Sequence, residues 1–224
     1  MIFLAADTSR KEGSLALART KGPSAGDLEI LETVALEGGN FSAQIIPQIA
    51  ALLANHRFTQ ADICGFAVAT GPGSFTGLRV GLAAIKGLAE ALEKPIVAVS
   101  RLEAVARAAG LQGTVLSALD AGRQQAFVGE YEISLAVTCH SERLLTWEEL
   151  VVYAAGRPVV TPEEVVSTAL AQTSAQVLSV PLPRADVIAR IGWEKLTAGD
   201  IADIATLDAN YIRRTDAEIL VHGK

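Results

Sequence analysis

The chain is most constrained between residues 71 and 81, where Gly71-Pro72-Gly73-Ser74-Phe75-Thr76-Gly77-Leu78-Arg79-Val80-Gly81 follows the apolar run Ile63–Thr70. That order dictates a strand, a glycine-rich turn and a helix reaching about Leu92. The turn looks like a phosphate cradle, yet its spacing denies the two common forms. A Walker loop needs a Gly-Lys-Ser/Thr ending, and a dinucleotide loop needs a third glycine where Thr76 stands. Only the amides at the helix start are left to hold an anion. Gly73, Gly77 and Gly81 instead recur every four residues, with Ala84, Ile85 and Leu88 continuing their face. A helix face without side chains lets another backbone approach closely. Mid-helix glycine costs about 0.5–1 kcal/mol against alanine, so a close contact has to compensate it. That contact lies either inside the subunit, against the first helix, or against a partner, and the spacing does not choose.

Around this block the chain alternates strands and helices. Ile2–Ala6 and Ser14–Ala18 read as a hairpin around Arg10-Lys11-Glu12-Gly13, and Leu28–Leu36 as a third strand. Ile45, Ile46, Ile49, Leu52 and Leu53 recur at helical spacing after Ser42, its expected cap, with Pro47 distorting an early turn. Ile96–Val99 is a short strand, Leu102–Ala109 a helix and Thr114–Leu119 a further strand. The proline-rich C-terminal third predicts strands at Val159–Thr161 and Gln176–Ser179, and helices at Trp147–Ala155, Glu163–Ala171 and Arg184–Ala198. Leu4–Arg10 and Ala118–Arg123 share one order: apolar strand, Asp, small residues, Arg. They stand about half the chain apart, as a duplication would place them, although chance produces such matches easily. A duplication implies two similar α/β halves, whose ligands would collect at strand ends.

Half of the 224 residues are apolar and a fifth charged, which excludes a disordered chain. Nineteen Lys and Arg against twenty-five Asp and Glu leave a net charge of −6. A free-standing nucleic-acid binder, dependent on Lys/Arg–phosphate contacts, is therefore not expected. Cys64 and Cys139 provide no disulfide framework, and Cys64 reads as a small buried hydrophobe. His56, His140 and His222 lack metal-ligand spacing, so no metal site is expected. Without a basic leader or a long apolar stretch, a soluble cytoplasmic chain is expected.

Few residues present themselves for chemistry. Asp7 and Asp120 could position a metal–nucleotide complex across a cleft, with Thr8 and Ser9 beside the first. Each Asp more simply accepts hydrogen bonds from its own turn. Glu148-Glu149 and Glu163-Glu164 sit at helix starts, where the dipole favours acids. No Gly-x-Ser-x-Gly elbow supports a hydrolase. No catalytic residue and no cofactor is expected.

The Ile2–Ser9 opening, the 71–81 block, Ser100, Asp120–Arg123 and Tyr211-Ile212-Arg213-Arg214 together resemble the bacterial TsaB (YeaZ) family. The resemblance implies an actin/Hsp70-like (ASKHA) duplicated fold of two α/β lobes. The lobes would be residues 1–103 and 104–205, with about 206–224 packing back on the first. It implies a non-catalytic accessory subunit in tRNA threonylcarbamoyladenosine biosynthesis. Its partners would be a TsaD-type catalytic paralogue and a TsaE-type ATPase, with tRNA met only through the complex and a homodimer formed when alone. The His-x3-His metal motif of TsaD-type members is missing from Ser42–Ala54, and Phe41 stands where the family often has His. Because the family's partner surface uses the first two helices, the resemblance tips the glycine face toward an interface of Phe75, Thr76, Gly77, Leu78, Arg79, Gly81, Ile85, Ile45 and Ile49. The competing expectation is a stand-alone phosphotransferase of the same superfamily, an acetate or sugar kinase. Against it, Thr8-Ser9-Arg10-Lys11-Glu12-Gly13 is a poor phosphate hairpin.

Overall fold

The computed structural model describes residues 1–22 and 24–213. They divide into two compact units: residues 1–104 with 183–209, and residues 105–182 with the described residues from Asn210 on. In the first unit β1 (Ile2–Asp7), β2 (Gly13–Thr20), β3 (Leu28–Leu36), β4 (Ile63–Gly71) and β5 (Ile96–Ser100) form a sheet ordered β3-β2-β1-β4-β5. The first three strands run antiparallel in sequence, and β4 and β5 lie parallel to β1. Parallel neighbours require crossovers, which α1 (Phe41–Asn55) and α2 (Phe75–Ala91) supply.

Helices cover this sheet on both faces, which is why β1 reads as an unbroken apolar run. Phe3, Ala5, Ala16, Ala18, Ala67 and Ala69 pack with α6 (Ala185–Thr197). The alternate strand residues, Ile2 and Leu4 among them, are equally buried beneath α1 and α2. The alanines let α6 lie close. A Cβ at Gly192 would stand 2.4 Å from that of Ala67. Trp193 meets Phe3 edge-on at 5.6 Å between ring centres, and its Nε1 donates to the Ser24 carbonyl.

The second unit repeats the scheme. β6 (Gly113–Gly122), β7 (Gln125–Ile133), β8 (Val137–Thr146), β9 (Pro158–Thr161) and β10 (Gln176–Ser179) are ordered β10-β9-β6-β7-β8. Three antiparallel strands are again followed by two parallel to the first. Leu116, Ala118, Ala126 and Val128 pack with α4 (Trp147–Tyr153) and α5 (Glu164–Leu170). This is the duplicated, actin-like α/β architecture, and β1 and β6 are equivalent strands, the first ending in Asp7 and the second carrying Asp120 two residues before its end. α3 (Arg101–Ala108) follows β5.

Three expectations need correction. α6 was expected within a second lobe of 104–205 but packs on the first sheet, because Ile188, Ala189 and Trp193 bury against it. Of the segment 206–224, residues 206–209 group with the first unit and Asn210 to Arg213 with the second, while 214–224 lie outside the described residues. α1 begins at Phe41 rather than being capped by Ser42. Asn40 takes the cap position without a side-chain bond, and Gln44 ties the entry by donating to the carbonyls of Glu37 and Asn40. Pro47 is accommodated because its turn, with the Ala43 carbonyl it leaves unpaired in the helix, faces solvent. Among the described residues, no helix is long and apolar enough to cross a membrane.

Candidate functional site

β1 delivers Asp7, Thr8 and Ser9 to one end of the first sheet, and all three are buried. Asp7 Oδ1 accepts the Ser9 amide at 2.9 Å and also the Ser9 hydroxyl. The acid therefore closes its own turn. Thr8 Oγ1 donates to the carbonyl of Gly77, in the first turn of α2, at 2.7 Å. The Ser9 carbonyl accepts the Ser74 amide at 2.6 Å, and Ser74 caps α2 by accepting from the Gly77 amide. Two hydroxyls, of Thr8 and Ser9, and three amides, of Ser9, Ser74 and Gly77, that could face a phosphate are thus engaged within the lobe.

The glycines explain how the helix comes so near. A Cβ at Gly73 would stand 2.2 Å from the Ser9 carbonyl oxygen, and one at Gly77 would stand 2.1 Å from that of Thr8. At Gly81 it would stand 2.1 Å from Thr8 Oγ1. The stripe therefore packs inside the lobe, against the β1–β2 turn and neither a partner nor the first helix. Leu78, Ile85, Ile45 and Ile49 are buried beneath α1 and α2 as well. Of the nine interface candidates only Phe75, Thr76 and Arg79 stay at the surface. The Arg79 guanidinium lies over the Phe75 ring at 3.6 Å, and Ile46 is exposed on the neighbouring α1.

Arg101, which sequence reasoning misses, is buried and donates from Nη1 to the Pro72 carbonyl at 2.5 Å. Its one sequence signal is its place directly after Ser100, whose hydroxyl accepts the Leu102 amide at the start of α3. Phe41 is buried with its ring against Gly13 of the hairpin, where a Cβ would approach it to 2.9 Å. That position is apolar packing in this chain.

In the second unit Asp120 Oδ1 accepts the Gly122 amide at 2.8 Å, the turn-closing role of Asp7 repeated. The turn runs through left-handed residues Gly122, Arg123 and Gln124. Arg213 donates to Gln125 Oε1 at 2.7 Å and to the Gly122 carbonyl at 3.3 Å. Arg214 lies outside the described residues. Glu149 forms a capping box with Thr146, the helix-start role expected of it. Among the described residues no group of three His, Cys, Asp or Glu side chains is placed to hold a metal. A cavity of about 440 Å³ lined by Met1, Thr20, Lys21, Gly22, Trp193, Leu196 and Thr197 lies at the opposite end of β1 from Asp7.

Comparison with known proteins places this geometry. The family model of TsaD, tRNA N6-adenosine threonylcarbamoyltransferase, matches residues 36–205. The tRNA threonylcarbamoyladenosine biosynthesis protein TsaB of Bacillus subtilis is 31% identical over 97% of this chain and 96% of its own. Its namesake in Haemophilus influenzae is 28% identical over 75% of this chain and 67% of its own. Among solved structures, an uncharacterized Pseudomonas aeruginosa protein with similarity to peptidase YEAZ superposes with a TM-score of 0.76 at 25% identity. The two cover 95% of this chain and 99% of that one.

Proposed function

The chain belongs to the TsaB family, and from that premise we propose that it serves tRNA threonylcarbamoyladenosine biosynthesis as an accessory subunit that binds and activates a TsaD-type paralogue. One observation carries the accessory part of this reading. The end of β1, where a kinase of this superfamily would grip phosphate, is saturated from within: Asp7 by Ser9, Thr8 by Gly77, and the Ser9 carbonyl by Ser74. A phosphate cradle needs such donors free. This argues against the phosphotransferase alternative.

The partner surface is the exposed start of α2 with the neighbouring face of α1: Phe75, Thr76 and Arg79 beside Ile46. An aromatic ring under a guanidinium is the kind of group that concentrates binding energy at interfaces. The same face pairs two copies of the chain when the paralogue is missing. A TsaE-type ATPase joins the complex, and tRNA is met through it, in the cytoplasm. The test is reconstitution from this chain, the TsaD-type and TsaE-type proteins, tRNA, ATP and threonylcarbamoyl-adenylate, with each omitted in turn. Omitting this chain abolishes modification, and the chain alone neither hydrolyses ATP nor modifies tRNA. Turnover by the isolated chain, lost in Asp7→Ala, overturns the accessory reading.

A further inference from the structure

We propose that Thr8 is a positioning residue for that surface: its hydroxyl sets where the first turns of α2 present Phe75, Thr76 and Arg79. The inference rests on the partner reading above. Thr8 itself is 2% exposed and cannot touch a partner. It follows β1, the central strand of its sheet, held by β2 on one side and β4 on the other. From this rigid base Oγ1 donates to the Gly77 carbonyl at 2.7 Å.

Inside a helix that carbonyl ordinarily receives the amide four residues on. A second donor can approach only where residue 81 has no side chain, since a Cβ there would stand 2.1 Å from Oγ1. Two further ties, Ser74 amide to Ser9 carbonyl and Arg101 to Pro72 carbonyl, hold the loop before the helix. Of the three, Thr8 alone grips α2 within its own turns. Gly77 stands between Thr76 and Arg79 in sequence, so a shift of its carbonyl carries both, with Phe75 two residues before. A partner that needs α2 in one place must restore it in a chain lacking the hydroxyl, and that cost is subtracted from affinity.

The experiment measures association of the TsaD-type partner with wild type, Thr8→Val, Thr8→Ser and a core control, Val99→Ala, each with its thermal melt. Thr8→Val is expected to weaken association by about tenfold, the scale of one buried hydrogen bond. Thr8→Ser, which keeps the hydroxyl, stays within about threefold of wild type. Val99→Ala binds as wild type even though it melts lower. Should Thr8→Val fold poorly, Thr8→Ala removes the same hydroxyl and carries the comparison. Equal binding by wild type and Thr8→Val overturns the inference, as does a loss in Val99→Ala that matches its stability in the same way. A wild type that binds no paralogue overturns the partner reading instead, and this inference with it.

Discussion

The amide of Ala185, the first residue of α6, donates to the hydroxyl of Ser14 on β2 at 2.9 Å. A helix leaves its first amides without partners, and the residue before it ordinarily supplies one. Here Arg184 fills that position and its side chain caps nothing. The missing cap comes from a strand near the other end of the chain.

Ser14→Ala is therefore expected to cost about 1 kcal/mol, the usual loss of a helix cap, although no local motif marks Ser14 as one. For a chain of this size that lowers the melting temperature by roughly 2–4 °C. Ser174→Ala, at an exposed serine outside helix and strand, is the control. Equal melting of Ser14→Ala and wild type overturns the assignment.

Two glycines of one helix should respond in opposite directions. A Cβ at Gly87 meets nothing within 4 Å, so Gly87→Ala gains about 0.5–1 kcal/mol of helix stability. Gly81→Ala drives its methyl into Thr8 Oγ1 and loses about 1–3 kcal/mol, with Gly81→Leu losing more. Adding Thr8→Ala to Gly81→Ala recovers part of the loss. Urea titration of the four variants reads this directly, and a Gly81→Leu chain as stable as wild type would return the glycines to an external interface.

The two cysteines should separate by pH and by access. Burial pushes the Cys64 thiol above its ordinary 9.0, whereas Cys139 is exposed. A raised thiol value in the folded chain means that Cys64 supports stability fully below pH 9, and that this support is lost as pH rises through the raised value. At pH 8 a thiol reagent should modify Cys139 quickly and Cys64 slowly, with both fast in urea. Two equally fast thiols in the native chain would contradict this.

Alone, the chain should show no salt-sensitive tRNA binding at physiological ionic strength, because its net charge is −6 and few cation–phosphate contacts can form. Filter binding across a salt series tests this. Micromolar affinity that falls steeply with salt would assign tRNA contacts to this subunit directly.

The apolar runs and glycine breaks made β1, β4 and α2 readable, because each is buried or punctuated in a way that leaves a periodic mark. β8 left no such mark. Its Val137–Thr146 sequence is an edge strand, largely open to solvent, with Thr138, Cys139 and His140 exposed. The helical pattern of α6 was equally plain, but the sheet that buries it was not, since an amphipathic face names no partner. The same limit applied to the candidate site. Glycine at every fourth position announces that something approaches α2 closely. Only the fold reveals that it is Thr8, brought there by a strand pairing, and that Gly77 and Gly81 are thereby withdrawn from the surface.

The return of α6 to the first sheet has a consequence in time. A ribosome finishes β1 to β5 long before it begins Ala185, and the whole segment 105–182 is made in between. At about 5–20 residues per second the delay is on the order of ten seconds. Throughout it, the face formed by Phe3, Ala67 and Val97 has no helix to cover it, while the later segment can already close its own core around Leu116 and Val159. The order of synthesis and the order of completion are thus reversed. The nascent chain is most exposed to aggregation in its oldest part, and a truncation before Ala185 would leave that state permanent.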